Sequence, residues 1–235
     1  MGKKRVDTSH QDWLDVIKIP RRDQTLEDRT LHSKQFPSMG IDWSIDDKTK
    51  TYFYMVAVSQ DPLDSEEREE ILGKRRKTDS IELLEAAKVD YRFLLLNAQQ
   101  VSSLGFIPSA VLAIALMLNE YSQQTLDKAL ILIDGSEMPR VKIGIPHALK
   151  EGYGKILTLE QIDFRINADR RYPIVNMADG GAYALLGRFR KNSGSKHGIE
   201  ESYKDKMVVP SIDHYFLDQC NASQRGEKLF SKLAA

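Results

Sequence analysis

Up to about residue 36 the chain is polar, with charge blocks and little apolar periodicity. Only "WLDVIKI" interrupts this, as one short helix or an edge strand. From Met39 the pattern changes. "MGIDWSI" and "TYFYMVAVS" are β-rich runs separated by "DDKTK", a polar linker of hairpin length, and together they predict a β-hairpin with Asp42 in its first strand. In "DPLDSEEREEILGKRRK" acids cluster early and bases late, as a helix dipole prefers. "TDSIELLEAAKV" then offers Thr78, Asp79 or Ser80 as caps before apolar residues at helical spacing. "YRFLLLNA" reads as a buried strand, "QQVSSLG" as a connection, and "FIPSAVLAIALMLNEYSQQ" as a long apolar helix with Pro108 in its first turn. "ALILIDG" is the next strand, and its lack of alternation predicts burial on both faces. "KIGIPHALKEGYGKILTLEQI" is ambiguous and is assigned a short strand or loop followed by a strand at "KILTLEQ". "ADRRYPIVNMADGGAYALLGRFRK" predicts a proline-containing loop and then a helix weakened by Gly180 and Gly181.

This order predicts an α/β domain, a mixed sheet flanked by helices, over residues 37–192. Residues 1–36 are assigned to an N-terminal extension, and residues 193–235 to a C-terminal extension with a linker at "NSGSKHG" and a further helix. No internal repeat is visible. Composition supports one globular domain: 235 residues, 41% hydrophobic and 29% charged. Cys220 is the only cysteine, which excludes an internal disulfide and a cysteine-rich zinc site and fits a reducing compartment. The longest apolar stretch is broken by Pro108 and Ser109 and is shorter than a membrane span, so a core helix is expected and no membrane association. No apolar run follows the basic N-terminus as a secretory signal requires, and "SKL" is followed by two alanines; a cytoplasmic location is expected. Lys plus Arg equals Asp plus Glu at 34 each, so any polyanion must be held by local patches. "GKRRK" at 73–77 and "GRFRKNSGSK" at 187–196 are the main candidates, with "KKR" at 3–5, Arg21 and Arg22 as lesser ones; each is also an ordinary solvated run.

Candidate chemistry centres on three acids. Asp134 ends an apolar strand, Asp42 sits inside a β-rich run, and Asp179 opens or lies within the last helix. Carboxylates from strand ends and a nearby helix can hold a hard cation, and without one they would repel. Each also has a structural reading: Asp134 before Gly135 as a turn, Asp179 as a cap for "GGAYALLGRF", Asp42 as the partner of an arginine. Asp46 or Asp47 forms the hairpin turn or supplies a further ligand. Trp43 packs in the core or stacks on a base. None of the histidines at 10, 32, 147, 197 and 214 has metal-ligand spacing from another, no Ser-His-Asp or Cys-His signature is present, and "DGGAYALLGRF" lacks the lysine and spacing of a phosphate loop.

The ordered set "MGIDWS", "YFYMVAVS", "VSSLGFIPSAVLAIALMLNEY", "LILIDG" and "RRYPIVNMADGGAY" resembles the type 2 ribonuclease H family over roughly residues 39–190. The resemblance implies an RNase H-like fold and metal-dependent cleavage of nucleic acid, with Asp42 and Asp134 matching two of the family's catalytic aspartates. Trp43 stands where the family has a glutamate, "SIDD" replaces its Gly-Arg-Gly, and the acid expected further into the last helix falls near Gly187. The chain also resembles a second, less characterised RNase H-like family with Asp-x-Ser and Ala-Asp-x-x-Ala motifs, through "DWS" at 42–44 and "ADGGAYAL" at 178–185. That alignment implies Asp42, Asp134 and Asp179 as the catalytic, Mg²⁺- or Mn²⁺-binding set. Arg170, Arg171, Arg188, Arg190 and Lys191 are expected to hold a nucleic-acid backbone. The alternative expectation is a catalytically degenerate module that keeps the fold and binds nucleic acid or a protein partner without cleaving.

Overall fold

The computed structural model describes residues 38–59, 80–86, 89–192 and 194–209. The "WLDVIKI" element, the helix expected over 61–77 and the chain beyond 209 lie outside the described residues.

The expected hairpin is formed by β1 (Ser38–Asp46) and β2 (Thr51–Ser59), antiparallel from Ser38↔Ser59 to Asp46↔Thr51. Asp46 builds the turn: its Oδ2 accepts from the Thr49 amide and hydroxyl, each at 2.8 Å, and its carbonyl accepts from the Lys50 amide at 2.7 Å. Helix α1 (Ser80–Ala86) precedes β3 (Asp90–Leu96), which pairs antiparallel with β2. Helices α2 (Ala98–Leu104), α3 (Phe106–Asn119) and α4 (Gln123–Lys128) lead into β4 (Leu130–Asp134). Next come α5 (Pro139–Tyr153), a 3-10 turn at Leu159–Gln161, β5 (Ile162–Arg165), α6 (Ala168–Arg171), α7 (Pro173–Lys191) and α8 (His197–Ser202). The sheet is mixed, in the order β3-β2-β1-β4-β5, with β4 parallel to both β1 and β5. An α/β domain with a mixed sheet flanked by helices is thus what the chain forms.

Two cores cover the two faces of the sheet. Ile41, Tyr54, Val56, Ile131 and Ile133 face α3 and α5, where Ala110, Ile114, Met117, Val141 and Ile145 pack. Phe53, Met55, Ala57, Leu130 and Leu132 face α7 and α1, through Ile174, Ala178, Ala182, Leu185 and Leu84. Backbones approach most closely at Gly40, where an added Cβ would overlap the carbonyl of Ile174. Residues 109–118 of α3 are buried, as expected of a core helix. Among the described residues no single helix is long and apolar enough to cross a membrane; the apolar pair α2 and α3 is bent by 111°.

Three elements differ from the sequence expectation. The first part of the ambiguous stretch, from Lys142, belongs to one 15-residue helix, α5, started by Pro139 and ended by Gly154 in the left-handed conformation. Its buried positions 141, 145, 148 and 149 have helical spacing, which outweighs Pro146 inside it. No strand forms at "KILTLEQ": the strand begins at Ile162, after Gln161 has donated to the carbonyls of Leu126 and Ala129. "QQVSSL" is helical because Asn97 and Gln100 form a reciprocal capping box, each side chain bonding the other's amide at 2.9 Å. Beyond α7 the chain folds back: Ile199 is buried against the α7 core, and the Phe93 carbonyl of β3 accepts from the Val208 amide at 2.8 Å.

Candidate functional site

Strand register brings the first two acids together. β1 and β4 pair up to Ile41↔Ile133, so Asp42 and Asp134 are the next residue on each of two neighbouring parallel strands. Alternation puts Asp42 on the side of Gly40 and Asp134 on the side of Leu132, and both of those face α7. Asp134 closes β4, whereas β1 continues to Asp46. The pair therefore lies at the carboxyl end of the parallel strands, the usual place for a ligand in an open α/β sheet.

Each carboxylate also satisfies backbone amides. The Trp43 amide lies just past the last residue paired to β4, and it donates to Asp42 Oδ1 at 2.7 Å. Asp42 is only 9% exposed. Asp134 Oδ1 accepts from the Ala168 amide at 2.6 Å, capping α6, whose own N-cap residue Asn167 gives no side-chain cap. Gly135 turns the chain with φ 116°, so the turn reading of Asp-Gly is correct for the glycine. Burial pushes the Asp134 carboxyl above the ordinary range; the Ala168 amide opposes this and the nearby Asp169 carboxylate reinforces it.

Asp169 is the acid that the sequence reading missed. It sits in the four-residue α6, directly after the amide that Asp134 caps, and its charge acts on Asp134. Its one signal in the sequence is position, between the strand that follows Asp134 and "RRYP". The Asn176 side chain, buried in α7, donates to the Asp169 carbonyl at 2.8 Å and so ties α6 to α7. Asp179 lies one turn further along α7, half-buried, on the helix that crosses the face carrying Asp42. Among the described residues no group of three or more His, Cys, Asp or Glu side chains is gathered closely enough to hold a metal ion by itself. A magnesium ion commonly takes one or two carboxylates and completes its shell with water and substrate phosphate. Asp42 and Asp134 fit that smaller requirement.

The expected basic residues have different surroundings. Arg190 donates from Nε to Asp46 Oδ1 at 2.7 Å, which ties the last turn of α7 to the hairpin tip. Asp46 thereby becomes a structural acid, its carboxyl lowered to about 2 by that bond and by the Thr49 amide. Arg188 lies over the Tyr203 ring at 4.7 Å. Lys191 is exposed. Arg170 and Arg171 belong to α6, and their side chains fall outside the described residues. Trp43 points to the opposite face from Asp42 and packs against Tyr54 and Phe106.

No protein-family profile matches the sequence, and no curated protein does. Similar solved structures include the ribonuclease H2 from Pyrococcus horikoshii OT3 (TM-score 0.49, 16% identity, 85% of this chain and 99% of that one). A mutant of Bst-RNase HIII (TM-score 0.49, 11% identity) overlaps 86% of this chain and 67% of its own. Bst-RNase HIII in complex with Mn²⁺ (TM-score 0.40, 11% identity) overlaps 84% and 71% respectively. The named structures to which this fold is similar are thus ribonucleases H, and what the chain does has to be argued from its own residues.

Proposed function

We propose that the protein is a metal-dependent, cytoplasmic hydrolase of phosphodiester bonds in nucleic acid. The observation that carries this is the placement of Asp42 and Asp134 side by side at the ends of parallel strands, with Asp169 adjoining. Asp169 repels the Asp134 carboxylate, and burial has already raised the Asp134 carboxyl. A divalent cation removes that cost, and Mg²⁺ or Mn²⁺ bound there would polarise the phosphodiester and its attacking water. Hydrolysis adds that water across one P–O bond, hydroxyl to phosphorus and proton to the leaving oxygen. This chain's residues orient the site: the Trp43 amide holds Asp42 Oδ1 and the Ala168 amide holds Asp134 Oδ1. Asp179 on α7 supports the same side, and Lys191 stands exposed to meet the phosphate backbone.

A second reading, a module that binds nucleic acid or a protein partner without cleavage, is favoured by Trp43, which turns away from the acids and stands where the family that the sequence resembles has a glutamate. A cleavage assay on single-stranded, duplex and hybrid substrates across a divalent-ion titration separates the two. Metal-dependent cleavage that disappears in Asp134→Asn supports the hydrolase; binding with no cleavage at any metal concentration selects the second reading.

A further inference from the structure

On the face away from the acids, four aromatic rings meet. Trp43 and Tyr54 have centroids 5.8 Å apart, Trp43 and Phe106 6.4 Å, Tyr52 and Phe106 6.0 Å, and Tyr52 stacks on Tyr54 at 6.1 Å with planes 16° apart. Tyr54 is fully buried, Trp43 and Tyr52 are half-buried, and Phe106, in the first turn of α3, is 39% exposed. Packing alone gives no reason to leave three such rings partly open beside one another. Tyr54 Oη and Ser109 Oγ, the latter one turn along α3 from Phe106, are buried and belong to the floor beneath the rings, so the open surface here is aromatic.

A nucleobase has the complement to open aromatic rings, a flat π surface. Lys48, exposed in the turn at 47–50 that continues from this end of the hairpin, adds positive charge for a backbone, whereas Lys50 is paired with Asp47 at 3.8 Å. The sugar-phosphate chain also has a short route to the acids, because Asp42 and Trp43 are consecutive and lie on opposite faces of β1 beyond the end of β4.

We propose that Trp43, Tyr52 and Phe106 form a stacking platform for one unpaired nucleobase of the substrate strand. This rests on the nucleic-acid reading above and narrows it, since a base inside a duplex has both faces covered and cannot use the platform.

Trp43 becomes the sole tryptophan in a Trp13→Phe background, and its fluorescence reports on the site directly. The probes are a short single-stranded oligonucleotide, an abasic strand of equal length and a blunt duplex, all without added divalent ion. The single strand is expected to quench Trp43 and the abasic strand not to. Phe106→Ala is expected to weaken single-strand binding roughly tenfold, with Phe106→Trp restoring it, in line with stacking energies at other sites. Tyr52→Leu provides the same test if Phe106→Ala does not fold. Equal quenching by the abasic strand, or affinity unchanged in a folded Phe106→Ala or Tyr52→Leu protein, overturns the platform and leaves the hydrolase reading standing. Failure of every probe to bind also overturns the platform, and the metal-dependent cleavage assay then decides the hydrolase reading by itself.

Discussion

Asp46 and Asp134 are both carboxylates at the end of a strand, yet their surroundings drive them in opposite directions. Asp46 has Arg190 and the Thr49 amide and hydroxyl as neighbours, and its carboxyl is lowered to about 2. Asp134 is half-buried, with backbone amides, Ala168 foremost, and a second carboxylate as its neighbours, and burial raises its carboxyl. A cation already supplied by the fold marks an acid that holds structure together. An acid crowded by another acid is one whose ionisation an external cation would relieve, as proposed for Asp134.

The comparison can be broken most severely at Asp134. Replacing it with Asn should lower metal-dependent cleavage by roughly 100-fold or more, since a lost ligand removes several kcal/mol of charge stabilisation. Stability should not suffer in the same proportion. A carboxyl raised in the folded state contributes stability below its unfolded value and loses that contribution as pH rises through the folded one, so at neutral pH ionised Asp134 is a burden. Thermal melts should therefore show Asp134→Asn equal to or above wild type without metal, and Mg²⁺ should raise the melting temperature of wild type only. A melting temperature well below wild type would show that capping α6 is the main task of Asp134.

Next in size, Gly40→Ala should cost about 1–3 kcal/mol in urea unfolding, because the new methyl meets the backbone of α7 rather than a side chain that can move. It should damage both corners at once, since α7 carries Asp179 near one and Arg190 at the other. Arg190→Ala acts on one corner. A carboxyl lowered in the folded state contributes stability above its unfolded value and loses it as pH falls toward about 2. Removing Arg190 should move the Asp46 titration, followed by carbon NMR, back toward the ordinary range and flatten acid unfolding there. Cleavage at neutral pH should change far less than in Asp134→Asn. The smallest effect is expected from the exposed Lys191: its change to Ala should weaken binding uniformly across sequences and reduce the salt slope by about 1.

Much of this arrangement was legible from periodicity. The run "LILIDG" shows a strand buried on both faces, and the period of two already separates Asp42 from Trp43 onto opposite sides. What the sequence conceals is register. That Asp42 falls one place beyond the pairing of Ile41 with Ile133 depends on contacts between segments about ninety residues apart, which no local pattern encodes. Helix α5 was obscured by Gly144 and Pro146, two poor helix formers in a segment whose apolar spacing is nonetheless helical. Asp169 was obscured because a four-residue helix has too few positions to show a period. Arg190 looked like a phosphate binder in a basic run, and only the tertiary fold shows it bonded to Asp46.

Beyond the end of β4, β1 runs on from Trp43 to Asp46 as an open edge, with β2 as its one strand neighbour among the described residues and β3 backing β2 as far as Tyr52. The bond from Arg190 to Asp46 braces the far end of that edge. Amide protons of Trp43 to Ile45 should accordingly exchange with solvent faster than those of Met39 to Ile41, and releasing the brace should widen that gap without altering the rooted half.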